Sequence, residues 1–166
     1  MKFINILIKC IVALVILFIW TNARHEGSHA LMASLEGASV PECKLFPGIH
    51  PNGSYYFGYV LISGGTSWLT IAGPFFSDLI LLLITLTILI WKRNIKFYKI
   101  IFLLGFISPL IDLLYNYQGG FWRTISDVYR LNELLPKAIV HFYFISLIIG
   151  TISLMFFFRK RRVESV

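Results

Sequence analysis

Charge is scarce in this 166-residue chain: 14% of residues are charged, 57% are hydrophobic, and the mean hydropathy is +0.77. One core of a water-soluble domain this size cannot bury that much apolar surface, so the sequence predicts an integral membrane protein. No stretch is polar enough for a separate soluble catalytic domain. Cysteine is nearly missing too. Cys10 lies in an apolar run and Cys43 in a polar connection, which excludes a disulfide framework and a cysteine-based zinc site. Acidic residues number 8 against 15 Lys plus Arg. In a membrane chain that excess reports topology, and no nucleic-acid partner is expected. Gly and Pro are absent from Phe3 to Ala23, so the first apolar run reads as unbroken helix. Lys2 and Lys9 before that run also suit a secretory signal, but Ala23-Arg24-His25 is a poor small-x-small cleavage site, and a retained span is expected.

About 20 apolar residues cross a bilayer. That length predicts four spans, about 3–36, 67–91, 97–115 and 137–158, in a single membrane-embedded domain covering 1–166. The expected fold class is an all-α polytopic membrane protein with a short β-hairpin in the first outer connection. The hairpin is expected at the membrane surface, from Lys44-Leu45-Phe46 and Tyr55 to Ile62 around Pro47, Pro51, Asn52 and Gly53. In the second long connection Gly119-Gly120 reads as a breaker, followed by a short amphipathic helix from Ser126 to Leu135. Ten basic residues fall at the start (Lys2, Lys9), between spans two and three (Lys92, Arg93, Lys96, Lys99) and in the tail (Arg159, Lys160, Arg161, Arg162). Arg24, Lys44, Arg123, Arg130 and Lys137 flank the two longer connections. The positive-inside rule then puts both termini in the cytoplasm and both long connections outside. The basic tail is expected to meet anionic lipid. Asn52-Gly53-Ser54 is formally a glycosylation acceptor, a common triplet that carries little weight.

His25-Glu26-Gly27-Ser28-His29 is an H-E-x-x-H motif near the far end of the first helix. Residues four apart share a helix face, so both imidazoles can bind one Zn²⁺ with Glu26 beside it as general base. The plainer reading has both histidines snorkelling toward water with Arg24 and Glu36. Two His at ligand spacing around a Glu, in a chain with four His in all, favour the metal. A catalytic zinc needs a third protein ligand and a water. Asp78, Asp112 and Asp127 are the candidates, with His50 and His141 behind them. Intramembrane carboxylates are functional suspects because they are costly there. Asp127 alone reads equally well as an acidic first-turn residue behind a Ser126 cap. Asp112 and Asn116, one turn apart, read also as a hydrogen-bonded interhelical pair, and Asp78 follows a Gly73-Pro74 best explained by helix packing.

Taken together, His25-Glu26-Gly27-Ser28-His29-Ala30-Leu31, then Leu45-Phe46-Pro47-Gly48, Gly58-Tyr59-Val60, Ser63-Gly64-Gly65 and Ala72-Gly73-Pro74, and finally Ser126-Asp127 with Leu134-Leu135-Pro136, resemble the site-2 protease family of intramembrane zinc metalloproteases, in its small, minimal branch. The likeness covers roughly residues 20–140, and only the first motif is specific by itself. It implies a zinc-dependent endopeptidase cutting a membrane-protein or peptide substrate within or beside a span. His25, His29 and Asp127 would be its ligands, Glu26 its base and Asn116 an oxyanion or substrate-backbone donor. Two other classes stay open: a non-catalytic or metal-binding membrane scaffold, and a metal-dependent membrane enzyme that is not a protease.

Overall fold

In the computed structural model residues 2–49, 53, 55–64, 67–91 and 97–163 are described, with side-chain statements excluding 2 and 159–163. His50, Pro51, Asn52, Ser54, Gly65, Lys92, Arg93, Lys96 and the basic-tail side chains therefore lie outside the described residues.

Helix α1, Lys2–Leu35, is the longest element. Its 34 residues extend about 51 Å, well beyond a bilayer's hydrocarbon thickness. A left-handed Gly37 (φ 80°) ends it, with Gly37 N–H donating to Ser34 O (3.1 Å) and Ala38 N–H to Ala33 O (2.9 Å). This paired closure satisfies carbonyls that a helix end leaves orphaned, and it turns the chain back on itself.

The returning chain forms β1, Ser39–Lys44, and β4, Tyr59–Ser63, antiparallel from Ser39 opposite Ser63 to Lys44 opposite Tyr59. Pro41, which cannot donate to a ladder, falls where the register slips between Ser39 and Glu42. Beyond it, β2, Gly48–Ile49, pairs with β3, Tyr55–Tyr56. The hairpin thus begins five residues earlier than the Lys44-Leu45-Phe46 expectation. It also does not lie across the end of α1. It runs back along it, with Phe57 packing edge-on against Phe18 (5.6 Å) and Asn22 Nδ2 donating to Leu45 O (2.6 Å) and Phe57 O (2.8 Å). Phe18 is about 25 Å down the helix from Leu35. One polar side chain inside an apolar run thereby satisfies two hairpin carbonyls.

Helix α2, Trp68–Trp91, follows. The third span, Tyr98–Gly119, consists of α3, Tyr98–Phe102, a π-helical turn at Leu103–Ile107, and α4, Ser108–Gly119. Gly105 in that turn sits against Thr85, where a Cβ would approach Thr85 Oγ1 to 2.0 Å. The span ends one turn later than its expected limit at Tyr115. Gly119 stays helical and Gly120 caps it in a right-handed conformation. The glycine pair therefore serves by being small. A Cβ on Gly119 would meet Arg123 Nη2 at 2.2 Å, and one on Gly120 would meet Val128 Cγ1 at 2.5 Å. Helix α5, Asp127–Leu134, and helix α6, Lys137–Val163, complete the chain.

Among the described residues four helices are long and apolar enough to cross a membrane: Phe3–Leu35, Trp68–Trp91, Tyr98–Gly119 and Lys137–Phe158. The chain is thus a multi-pass, mainly helical membrane protein with a small hairpin. Two buried clusters hold the helices together. One joins Ile71 and Phe75 of α2, Leu113 of α4, Val128 and Leu131 of α5 and Phe144 of α6. The other joins Leu82, Leu89, Phe106 and Phe158. The first lies beneath the polar centre, and its Phe75 ring also contacts His25 (6.0 Å between centroids).

Candidate metal centre

Helices α1 and α5, about a hundred residues apart in sequence, bring His25, His29 and Asp127 together, with one ligand atom from each within 4.8 Å of the others. Both histidines stand on one face of α1 with ring centroids 5.0 Å apart. His25 Nε2 lies 3.0 Å and His29 Nε2 3.2 Å from the same oxygen, Asp127 Oδ2. Ser126 caps α5 by accepting from Tyr129 N–H (3.3 Å), and buried Val128 and Leu131 anchor the helix, so Asp127 is aimed from its first turn. Cap and ligand geometry coexist in two adjacent residues. Burial alone would raise the Asp127 carboxyl. Imidazoles that donate to it or carry charge lower it, so its protonation follows from which nitrogens of the two rings hold protons.

Each histidine is fixed through its other nitrogen. His29 Nδ1 lies 2.9 Å from Thr70 O, and a carbonyl can only accept, so Nδ1 carries the proton. His25 Nδ1 lies 2.9 and 3.0 Å from the two Asp112 oxygens, which makes it the donor to a carboxylate. Both rings then present an Nε2 lone pair to Asp127. Acceptor facing acceptor at such distances is repulsive unless something positive lies between. Protons can fill this space only by charging a ring, as in an imidazolium at His25 that donates to Asp112 and Asp127 together. A divalent ion satisfies all three groups at once, and the arrangement of imidazole backed by carboxylate or carbonyl is the one metal-bound histidines adopt.

Asp112 belongs to the layer behind the ligands. Arg24 Nη2 donates to its Oδ2 (3.0 Å) and sits 2.6 Å from Asp78 Oδ1, while Arg24 Nη1 donates to Ser77 Oγ (2.7 Å). The Asp78 contact is close but misaligned: neither Asp78 oxygen has a directed hydrogen bond, so this is a charge pair. Asp78 is fully buried, and the guanidinium is the cation it pairs with. Arg24, expected at the interface with its head toward water, is instead 10% exposed and ties α1 to α2 and α4. Burial of two carboxylates leaves it no better partner than the interior.

Asn116 donates through Nδ2 to Asp112 Oδ1 (2.8 Å) and Asp112 O (3.0 Å). Its amide protons therefore already have acceptors, although the residue borders the same cavity as the histidines. His141 is apart from the cluster, 3.1 Å from Tyr117 Oη and stacked on Phe121. Glu36 sits beyond the centre, where it accepts from the hydroxyls of Ser67 and Thr70 and links the end of α1 to the start of α2. Arg24, Thr70 and Asn22 were not singled out as site residues from sequence.

The centre opens on a cavity of about 990 Å³. Glu26, His25, His29 and Asp127 line it together with the apolar Leu14, Leu17, Phe18 and Ile111. The hairpin forms a wall through Tyr59, Val60 and Ile62. Gly58 lies directly against Glu26, since a Cβ there would come within 2.7 Å of Glu26 Cγ and 2.6 Å of Asn22 Nδ2. Comparison with protein-family models, with curated proteins and with solved structures gives no match.

Proposed function

We propose that this chain is an intramembrane zinc metalloendopeptidase that hydrolyses a peptide bond within or beside a membrane span. The observation that carries the reading is the pair of imidazoles backed through Nδ1 by Asp112 and the Thr70 carbonyl and aimed through Nε2 at one carboxylate oxygen, an arrangement a divalent cation satisfies with both rings neutral. His25, His29 and Asp127 would hold the ion. Three protein ligands leave a coordination position for substrate or water, as catalytic rather than structural zinc sites do. Zinc in such a site supplies Lewis acidity and water of lowered pKa, about 7.

Glu26 follows His25 on α1 and lines the same cavity as the ligands. It takes a proton from the attacking water and returns it to the leaving amine, so the peptide C–N bond breaks as the new C–O bond forms. Asn116 enters as a support of Asp112 in place of an oxyanion donor. The apolar lining of the cavity accommodates the hydrophobic side chains of a membrane segment, and its polar residues admit the water that hydrolysis consumes. A substrate unwound into an extended strand would add along β4 at Val60 and Ile62, which exchanges the lost helical hydrogen bonds for sheet ones. With both termini cytoplasmic, as the basic residues indicate, the centre faces the opposite side.

A scaffold role has one observation in its favour: the Arg24, Asp78 and Asp112 contacts join three spans with or without a metal. Zinc content and cleavage separate the two readings. Purified wild-type protein is expected to hold one zinc and to cut a membrane-spanning reporter. Glu26→Gln should retain the zinc and lose activity by about 100-fold or more. A wild-type protein without zinc, or a Glu26→Gln variant that cleaves normally, would remove the proposal.

A further inference from the structure

We propose that Pro74 is a positioning residue of the metal centre: by withholding a backbone N–H it leaves the Thr70 carbonyl to accept from His29. The inference rests on the zinc reading above and extends it to a residue in a different helix. Pro74 lies inside α2, six residues after its start. An α-helix bonds each N–H to the carbonyl four residues back, so the donor missing at position 74 is the one Thr70 O would have received. Thr70 is 1% exposed, which denies that carbonyl water. A buried carbonyl without a partner is costly, and the donor it finds is His29 Nδ1 at 2.9 Å.

Gly73 makes the meeting possible. A Cβ there would stand 2.7 Å from Met32 Cγ and 2.9 Å from Ser28 O, so only glycine lets α1 and α2 approach this closely. The two halves of the dipeptide act differently, in that Gly73 sets the distance and Pro74 frees the acceptor. The consequence is electronic as well as steric. Held by a carbonyl, His29 keeps its proton on Nδ1 and its Nε2 lone pair toward Asp127. His25 obtains the same control from Asp112, a side chain, whereas His29 obtains it from a gap in a helix ladder.

A proline kept only for packing or bending makes a different prediction from one kept for its absent donor. The test measures zinc affinity by chelator competition, and thermal unfolding of the metal-free form, on the full chain in detergent. Pro74→Ala restores the N–H and a better helix former. It is expected to weaken zinc binding about 10-fold or more while the metal-free Tm stays the same or rises. Replacing Pro74 by the α-hydroxy analogue of alanine removes the N–H again without a ring, and is expected to return zinc affinity to the wild-type value. Unchanged affinity in Pro74→Ala, or an ester variant as weak as the alanine one, would overturn the proposal while leaving the zinc centre intact. If Pro74→Ala does not fold, the ester variant alone decides. Absence of zinc from the wild-type protein would overturn both.

Discussion

Asp112 offers the sharpest test of how the centre is held, because its two oxygens share His25 and otherwise serve different neighbours. Oδ1 receives His25 Nδ1 (2.9 Å) and Asn116 Nδ2 (2.8 Å), and Oδ2 receives Arg24 Nη2 (3.0 Å) and lies 3.0 Å from His25 Nδ1. Asp112→Asn can keep one oxygen toward His25 and Asn116 but must turn its amide nitrogen toward Arg24, donor against donor. Asp112→Ala leaves all three donors without this acceptor. A lost charge-assisted hydrogen bond costs about 1.5–3 kcal/mol. Arg24 retains Asp78 at 2.6 Å, so its charge is not stranded, and the folding cost common to both variants should be about 3 kcal/mol, at the low end for a broken buried pair. Zinc affinity should separate them. The alanine variant loses the group that orients His25 and should bind zinc about 10–100-fold more weakly, while the asparagine variant should lie closer to wild type. Unfolding in mixed micelles under chelator measures the first quantity, and competition with a chromophoric chelator measures the second. Wild-type zinc affinity in Asp112→Ala would refute the assignment of this layer. So would an asparagine variant that is fully stable, since Arg24 would then not depend on the carboxylate.

Gly58→Val should lower cleavage with zinc content unchanged, because its Cβ would fall within 2.6 Å of Asn22 Nδ2, 2.7 Å of Glu26 Cγ and 3.0 Å of Lys44 O. The last of these is backbone, so the hairpin must shift off the base; equal cleavage at equal zinc content would count against the hairpin as a wall of the site. Glu36 carries a pH signature. The hydroxyls of Ser67 and Thr70 hold its carboxyl below the ordinary 4.5. A group lowered on folding stabilises fully above its unfolded pKa and loses that contribution as pH falls through the folded value. Tm should therefore drop below pH 4.5 more steeply for wild type than for Glu36→Gln, and identical profiles would show that this contact does not link α1 to α2.

Much of the fold was legible because long apolar runs admit few alternatives in a membrane. The four spans follow from length and hydropathy, and their ends differ from expectation mainly by one turn at Gly119. The hairpin was legible in its residues and not in its place. Pro, Gly and aromatic residues mark turns and strands locally, but the position of a hairpin depends on a partner. Here that partner is Asn22, one polar residue in a run otherwise read as lipid-facing. Its amide reaches two backbone carbonyls of the hairpin and sets where along α1 it docks. An asparagine at that depth is the signal that could have placed the hairpin.

The site divides in the same way. The ligand spacing within α1 is a property of the helix and can be read directly, whereas Asp127 comes from about a hundred residues away and could not be chosen over Asp112 or Asp78 by periodicity. Arg24 shows why. Counted as a topology charge, it reads as bound for the interface, since a long cationic side chain at a helix end normally reaches water. Two buried aspartates change that balance: each would be intolerable alone in hydrocarbon, and one guanidinium nitrogen, Arg24 Nη2, lies against both. Once Arg24 is committed inward, Asp112 is held on the Nδ1 side of His25 and does not reach the Nε2 side. On the proposed reading a third ligand must then arrive from elsewhere, and the first turn of α5, fixed by Ser126 and by Val128 in the core, places Asp127 there. An excess of intramembrane carboxylates over intramembrane cations, counted before topology is assigned, is thus the sequence signal that assigns Arg24 to the interior.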